Sequence, residues 1–324
     1  MLMVRPVTIR AVRSTGTLLC LASGAAFGAM AIFGKLAYGE GATIGTLLAV
    51  RFALAAALFW ALLAVRGAGL GLGRRDIALG LGLGAVGYAA QAGCYFAALQ
   101  RIDASLLSLV LYTFPAMVAG AAIALGRERA DRRRLGALAL SSAGLALVVA
   151  GAGTGALDPV GTAFGLGAAV VYSAYILISE GISRRVRPAA LSALVCTGAA
   201  VSLVTGSALL GDLHPGALTL GGWGWLACLA VISTVASIAM FFAGLSRVGP
   251  TSASILATVE PVVTVGLAAL VFGETLGAVQ LAGGALVLAA VPTLALAGRE
   301  GSAARRVLAG RRANPAPASA RSLP

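Results

Sequence analysis

Charge is what this sequence has least of. Only 11% of its 324 residues are Asp, Glu, Lys or Arg, against ~25% in a soluble domain whose surface faces water. That is too little to solvate a globular exterior, so most of the chain must face lipid or itself. Histidine occurs once (His214) and lysine once (Lys35). With no H-E-x-x-H and no cluster of histidine, cysteine and carboxylate, neither a metal centre nor a cofactor is expected. No G-x-x-x-x-G-K-[ST] occurs, so ATP hydrolysis would need a separate protein. The four cysteines (Cys20, Cys94, Cys196, Cys228) all lie inside apolar runs with no C-x-x-C pair, and read as small buried hydrophobes. The formal net charge of +13 would suggest nucleic acid in a soluble protein, but no hydrophilic fold is present to carry a basic patch. Nucleic acid is therefore not an expected partner.

What is present is apolar sequence: 59% of residues are hydrophobic and the mean hydropathy is +0.96. At about 20 residues per crossing, the runs divide into ten spans. The first five are Thr17–Tyr38, Thr43–Val65, Ile77–Leu99, Ala104–Gly126 and Leu135–Gly151. The second five are Val160–Ser179, Ala189–Gly211, Trp223–Leu245, Thr251–Phe272 and Leu276–Ala297. Helix is expected throughout, because a strand edge in lipid leaves its backbone unpaired, and the alternation of a membrane barrel is missing. Arg5, Arg10 and Arg13 before the first run imitate a signal peptide, but the run is long and nine more follow, so it reads as an uncleaved helix.

Arginine supplies a topology. With a cytoplasmic N-terminus, 21 arginines fall in the inner segments and one, Arg101, in the outer loops; only Lys35 and Arg51 lie within spans. This is the bias of the positive-inside rule. It places both termini on the cytoplasmic side of a cell (inner or plasma) membrane. Beyond Arg299 the chain is Arg, Ala, Ser and Pro without an apolar period, and is expected to be a basic disordered tail near anionic headgroups. The expected organisation is a segment 1–16, five-helix units at 17–151 and 160–298, and the tail 299–324.

Those units are copies. Under a shift of 146 residues, Arg101 meets Arg247, Ser105 meets Thr251, Ser108 meets Ser254, Pro115 meets Pro261 and Glu128 meets Glu274. Under a shift one shorter, AAFGAMAIFGK (25–35) answers VVYSAYILISE (170–180). Five spans is an odd number, so the second copy enters the membrane inverted. The fold class is thus all-α and polytopic: ten transmembrane helices as two inverted five-helix repeats. Such repeats place a solute site near the midplane at their interface, and alternating access follows from rocking one against the other.

RFALAAALFW (51–60), FPAMVAGAAIALGRE (114–128) and EPVVTVGLAALVFGE (260–274) resemble the drug/metabolite transporter superfamily, in particular its ten-helix EamA-type members. The resemblance covers about residues 17–298. It implies a secondary carrier, commonly an exporter of amino acids or other small metabolites. The second half carries Glu260–Pro261 where the first has Phe114–Pro115, so the halves are expected to contribute unequally.

Glu260 is the most informative side chain. A charge mid-span costs about 2.5–3.5 kcal/mol even on lenient insertion scales, so it should face a cavity or a partner. Pro261 beside it removes a backbone donor and strands the carbonyl of Ala257. This pairing suits a cation, amine or proton; the plain alternative is a hydrogen-bonded structural acid. Arg51 can bind a solute carboxylate, pair with Glu260, or snorkel to the outer headgroups. Lys35, nearer the span end, reads mainly as a snorkelling lysine. Gln91 with Tyr95, Ser105 and Ser108 with Tyr112, and Tyr172 with Tyr175 form polar helix faces, which line a cavity or bond helix to helix. Pro115 and Pro261 are expected kinks. Gly24/Gly28, Gly80/Gly84 and Gly161/Gly165 read as close helix contacts. Glu128 and Glu274 at span ends are expected to hold the following turns. The expected partners are a small solute and the bilayer; a homodimer is not indicated. A passive channel or an intramembrane enzyme is the alternative, but the spans are poor in polar pathways and in nucleophile–base pairs.

Overall fold

The computed structural model describes residues 6–67, 71–127, 130–151, 158–183 and 185–313. Ten helices are long and apolar enough to cross a membrane. They are α1 (Ser14–Gly39), α2 (Ile44–Val65), α3 (Arg74–Leu99), α4 (Ala104–Ala124), α5 (Arg132–Gly151), α6 (Pro159–Ser183), α7 (Pro188–Leu209), α8 (Leu220–Val248), α9 (Ser252–Phe272) and α10 (Ala278–Leu296). No strand occurs among the described residues. Local chemistry sets several starts. The Thr43 hydroxyl accepts from Thr46 N at 3.1 Å, and Thr219 caps α8 in the same way through Gly222 N. Asp158 accepts from Val160 N and Gly161 N ahead of α6, which holds its carboxyl below the usual range. Each is a side-chain oxygen meeting amides that the helix leaves unpaired.

Irregularities repeat with the sequence. Both α3 and α8 carry a π turn mid-span, at Leu83–Tyr88 and Val231–Ala236. Both α4 and α9 break just ahead of their prolines: α4 into Ala104–Leu111 and Phe114–Ala124, α9 into Pro250–Ala257 and Val259–Phe272. The expected kinks at Pro115 and Pro261 are thus helix breaks. The missing proline N–H removes one rung of the ladder, which leaves two separate half-helices on either side of the break.

The main packing runs between repeats: α5 on α10, α2 on α7, α1 on α8 and α3 on α6. With α1 equivalent to α6 and α3 to α8, the last two are one contact seen twice. Small residues allow it. The glycine pairs abut neighbouring helices, Gly161 the 100–103 turn; a Cβ on Gly28 would lie 2.7 Å from Glu260 O, and one on Gly161 2.7 Å from Arg101 Cβ. The four cysteines are free thiols.

Two ends differ from expectation. The first helix begins at Pro6, inside the segment assigned to 1–16. The last helix runs from Ala278 to Ala313, so residues 299–313, expected to be disordered, are helical. Loss of apolar period is not loss of helix propensity, and Ala, Arg, Leu and Glu rank high on that scale. Residues 314–324 and Glu128 lie outside the described residues.

Candidate functional site

The two helix breaks face each other across the repeat interface. Tyr112, at the α4 break, places its hydroxyl 2.6 Å from Ala257 O and 3.0 Å from Glu260 Oε2 at the α9 break. The carbonyl stranded by Pro261 therefore finds its donor in the other repeat. A phenol has one hydrogen and two lone pairs. When Glu260 is protonated, it can donate to the phenol while the phenol donates to Ala257. When Glu260 is ionised, the phenol must turn to it, and the carbonyl loses its partner. The Tyr112 hydroxyl thus serves two acceptors across both breaks with one hydrogen. Tyr112→Phe removes both bonds with little change of shape at a buried position. At about 1 kcal/mol per neutral hydrogen bond and more for one to a charge, solute exchange should change several-fold and the thermal transition should fall by a few degrees. Exchange rate and melting curve, measured side by side, check this.

Arg51 lies in α2, 2% exposed. It does not snorkel. Its Nε donates to Thr234 Oγ1 at 3.0 Å, and the guanidinium stands 4.9 Å over the Phe52 ring and 5.5 Å from the Phe96 ring. Thr234 sits in the α8 π turn, where its hydroxyl donates to Leu229 O, leaving a lone pair for the arginine. The Tyr88 hydroxyl lies beside the guanidinium. No ion pair joins Arg51 to Glu260 among the described residues. At 1.5 Å per residue each lies roughly 10–12 Å from its own helix start, and those starts are on opposite faces of the membrane.

Aromatic rings connect the two charges. Tyr112 packs on Phe114 at 5.8 Å, Phe114 on Tyr172 at 4.6 Å, and Tyr172 on Tyr175 at 6.3 Å. Tyr175 stacks on Tyr88 at 5.8 Å, and Tyr88 meets Phe52 at 5.1 Å. Phe96, the second ring beside Arg51, meets Tyr95 at 5.3 Å. Among the described residues the polar tips of Gln91, Tyr95, Tyr172 and Tyr175 have no hydrogen-bond partner, yet Ser233 Oγ is the only sealed orphan there. Each of these tips therefore keeps some accessible surface. A cavity of about 190 Å³ between α4 and α5 is lined by Thr113, Met117, Leu138 and Ser141 among others, and holds none of the candidate side chains.

Lys35 stands apart from this group and is not a snorkelling residue. Its Nζ is 2.6 Å from Glu274 Oε1 and 3.8 Å from Asp103 Oδ1. Sequence reasoning missed Tyr88, Thr234, Phe52, Phe96 and Phe114. Tyr88 lies three residues before Gln91, and the run Ser233–Thr234–x–x–Ser237 is a polar cluster mid-span; both signals were available.

The EamA-like transporter family matches residues 14–150 and 159–295, one match per repeat. The chain belongs to that family and is a multi-pass membrane transporter, consistent with the drug/metabolite transporter superfamily. It is 27% identical over 278 residues to the uncharacterized transporter YcbK of Bacillus subtilis, covering 83% of this chain and 89% of that one. It is 30% identical over 220 residues to an uncharacterized transporter of Archaeoglobus fulgidus, covering 68% and 77%. A crystal structure of another protein superposes with a TM-score of 0.63 over 89% of this chain and 99% of that one, at 19% identity. That likeness shows a shared fold.

Proposed function

We propose that this protein is a secondary exporter of a small metabolite, an amino acid, related solute or drug-like amphiphile, driven by proton exchange at Glu260. The observation that carries the reading is the carboxylate at the α9 break, hydrogen-bonded to Tyr112 of the opposite repeat. A carboxylate this deep in the membrane is costly and is repaid where it binds a cation or carries a proton. Arg51, Gln91, Tyr95, Tyr172 and Tyr175 bind the solute between the charges, Arg51 taking a carboxylate where there is one. Export follows from the resemblance to the family. The membrane is the inner or plasma membrane with both termini cytoplasmic, supported by the distribution of 21 arginines against one. The chain itself carries out no covalent chemistry.

The test has two stages. Strains lacking or overproducing the protein are grown across toxic amino acids, analogues and cationic amphiphiles, and solutes that shift resistance are taken into proteoliposomes. Saturable flux, accelerated by solute on the opposite side and leaving the solute chemically unchanged, is expected. Linear flux without such acceleration means a channel, and a covalently altered product means an enzyme; either overturns the reading.

A further inference from the structure

Where a helix stops decides what its next side chain can reach. α9 ends on Gly273, at φ +67, a left-handed position that glycine adopts without penalty. Gly273 N bonds Ala269 O and Glu274 N bonds Ala268 O, closing the α9 terminus. Glu274 is thereby held just past the helix end. Its carboxylate crosses to the other repeat, where Oε1 accepts from Ala104 N at 3.1 Å and Oε2 from Ser105 N and Ser105 Oγ at 3.0 and 2.9 Å. Lys35 completes the set at 2.6 Å. An acid at unpaired helix amides is favourable both as a hydrogen-bond acceptor and against the helix dipole. Burial works against its ionised form, but the Lys35 contact and the two amides outweigh it and hold its carboxyl below the usual range. The sign follows: a depressed carboxylate stabilises what it holds above its ordinary pKa and releases it only as pH falls through the lowered value, so the contact persists across the neutral range.

The capped segment is a half-helix. Ala104–Leu111 ends at the Tyr112–Thr113 break, so it can swing about that break as a unit. Every residue from Ala104 to Leu111 is buried. Its counterpart in the second repeat packs on α1, α8 and α10 but is less buried: from Ser252 to Thr258 only Ala253 is buried, and Ser254 is exposed. One half-helix is fully buried and the other only partly, although the sequence treats them as equivalents.

We infer that Glu274, with Lys35, is the latch that seats the first half of α4 and so closes the arginine-poor face of the transporter, the face of the 100–103 and 273–277 turns. Releasing it lets Ala104–Leu111 pivot about its break and opens a path from that face, while the first half of α9 becomes fully buried and closes the arginine-rich face. The latch rests on the alternating-access reading, but its test needs neither solute nor proton gradient.

The experiment replaces the four cysteines with alanine and introduces Ser108→Cys or, separately, Ser254→Cys. Labelling by a membrane-impermeant maleimide is timed in right-side-out and inside-out vesicles. With Glu274 intact, Ser108→Cys should be protected and Ser254→Cys should react from the arginine-rich face. Glu274→Ala should accelerate Ser108→Cys labelling from the arginine-poor face at least tenfold and slow Ser254→Cys labelling. Glu274→Gln keeps the size and one acceptor without the charge, and should fall between. A folded Gln variant that labels like the parent overturns the latch. So does acceleration at both positions, which is general loosening rather than exchange between two states. Opposite shifts in a protein that moves no solute would leave the latch standing and remove the transport reading.

Discussion

Glu260→Gln should abolish accumulation driven by a pH gradient while leaving solute exchange between equal compartments measurable. Glutamine fills the same space and can still meet the Tyr112 hydroxyl, 3.0 Å from Glu260 Oε2 in the native protein. It cannot exchange a proton at neutral pH. With no proton carried by this side chain, a pH gradient has nothing to couple to, and gradient-driven accumulation should fall to the level without a gradient. Exchange requires only that the solute seat and the repeats move, and should slow far less. The split between the two measurements carries the prediction, because a merely structural glutamate would lower both together or neither. Full pH-driven flux in the Gln variant would exclude the proton role.

The part of this site that sequence could show was local. Pro261 beside Glu260 predicts a stranded carbonyl at Ala257 because proline lacks the N–H that would have met it, and that carbonyl is found 2.6 Å from a donor. The donor was not foreseeable from spacing: Tyr112 lies 148 residues from Glu260, and helical periodicity says which face a residue is on but not which partner that face meets. Lys35 failed for the same reason. Its depth suggested snorkelling, while Glu274, 239 residues away, is brought within reach by the inversion of the repeats. For Arg51 the sequence admits three readings, because a lone cation within a span is compatible with each. The Thr234 hydroxyl and the flanking rings decide against the headgroups, and the register that delivers Thr234 comes from a π turn, which a 3.6-residue reading displaces. Span positions, by contrast, came out within a few residues, because they depend on composition and length alone.

Gly84→Ala tests whether that inter-repeat packing is as close as the geometry requires. In an exposed helix the change should stabilise, since glycine is ~1 kcal/mol worse than alanine in a helix interior. Here a Cβ on Gly84 would lie 1.9 Å from Val195 O, and one on Gly198 2.0 Å from Leu81 O. The obstacles are backbone atoms of α7 and α3, which have no rotamer to escape into, and the approach is reciprocal. Overpacking a side-chain site typically costs about 1–3 kcal/mol; prising two backbones apart should cost at least the top of that range. Such a loss should appear as a lowered thermal transition in detergent, or as failure to elute as a single species. Gly93 in the same helix faces open space, so Gly93→Ala should match the parent or exceed it. The sign of the difference decides the matter: if Gly84→Ala melts as late as Gly93→Ala, α3 and α7 are not in backbone contact, and the second repeat does not pack on the first as described.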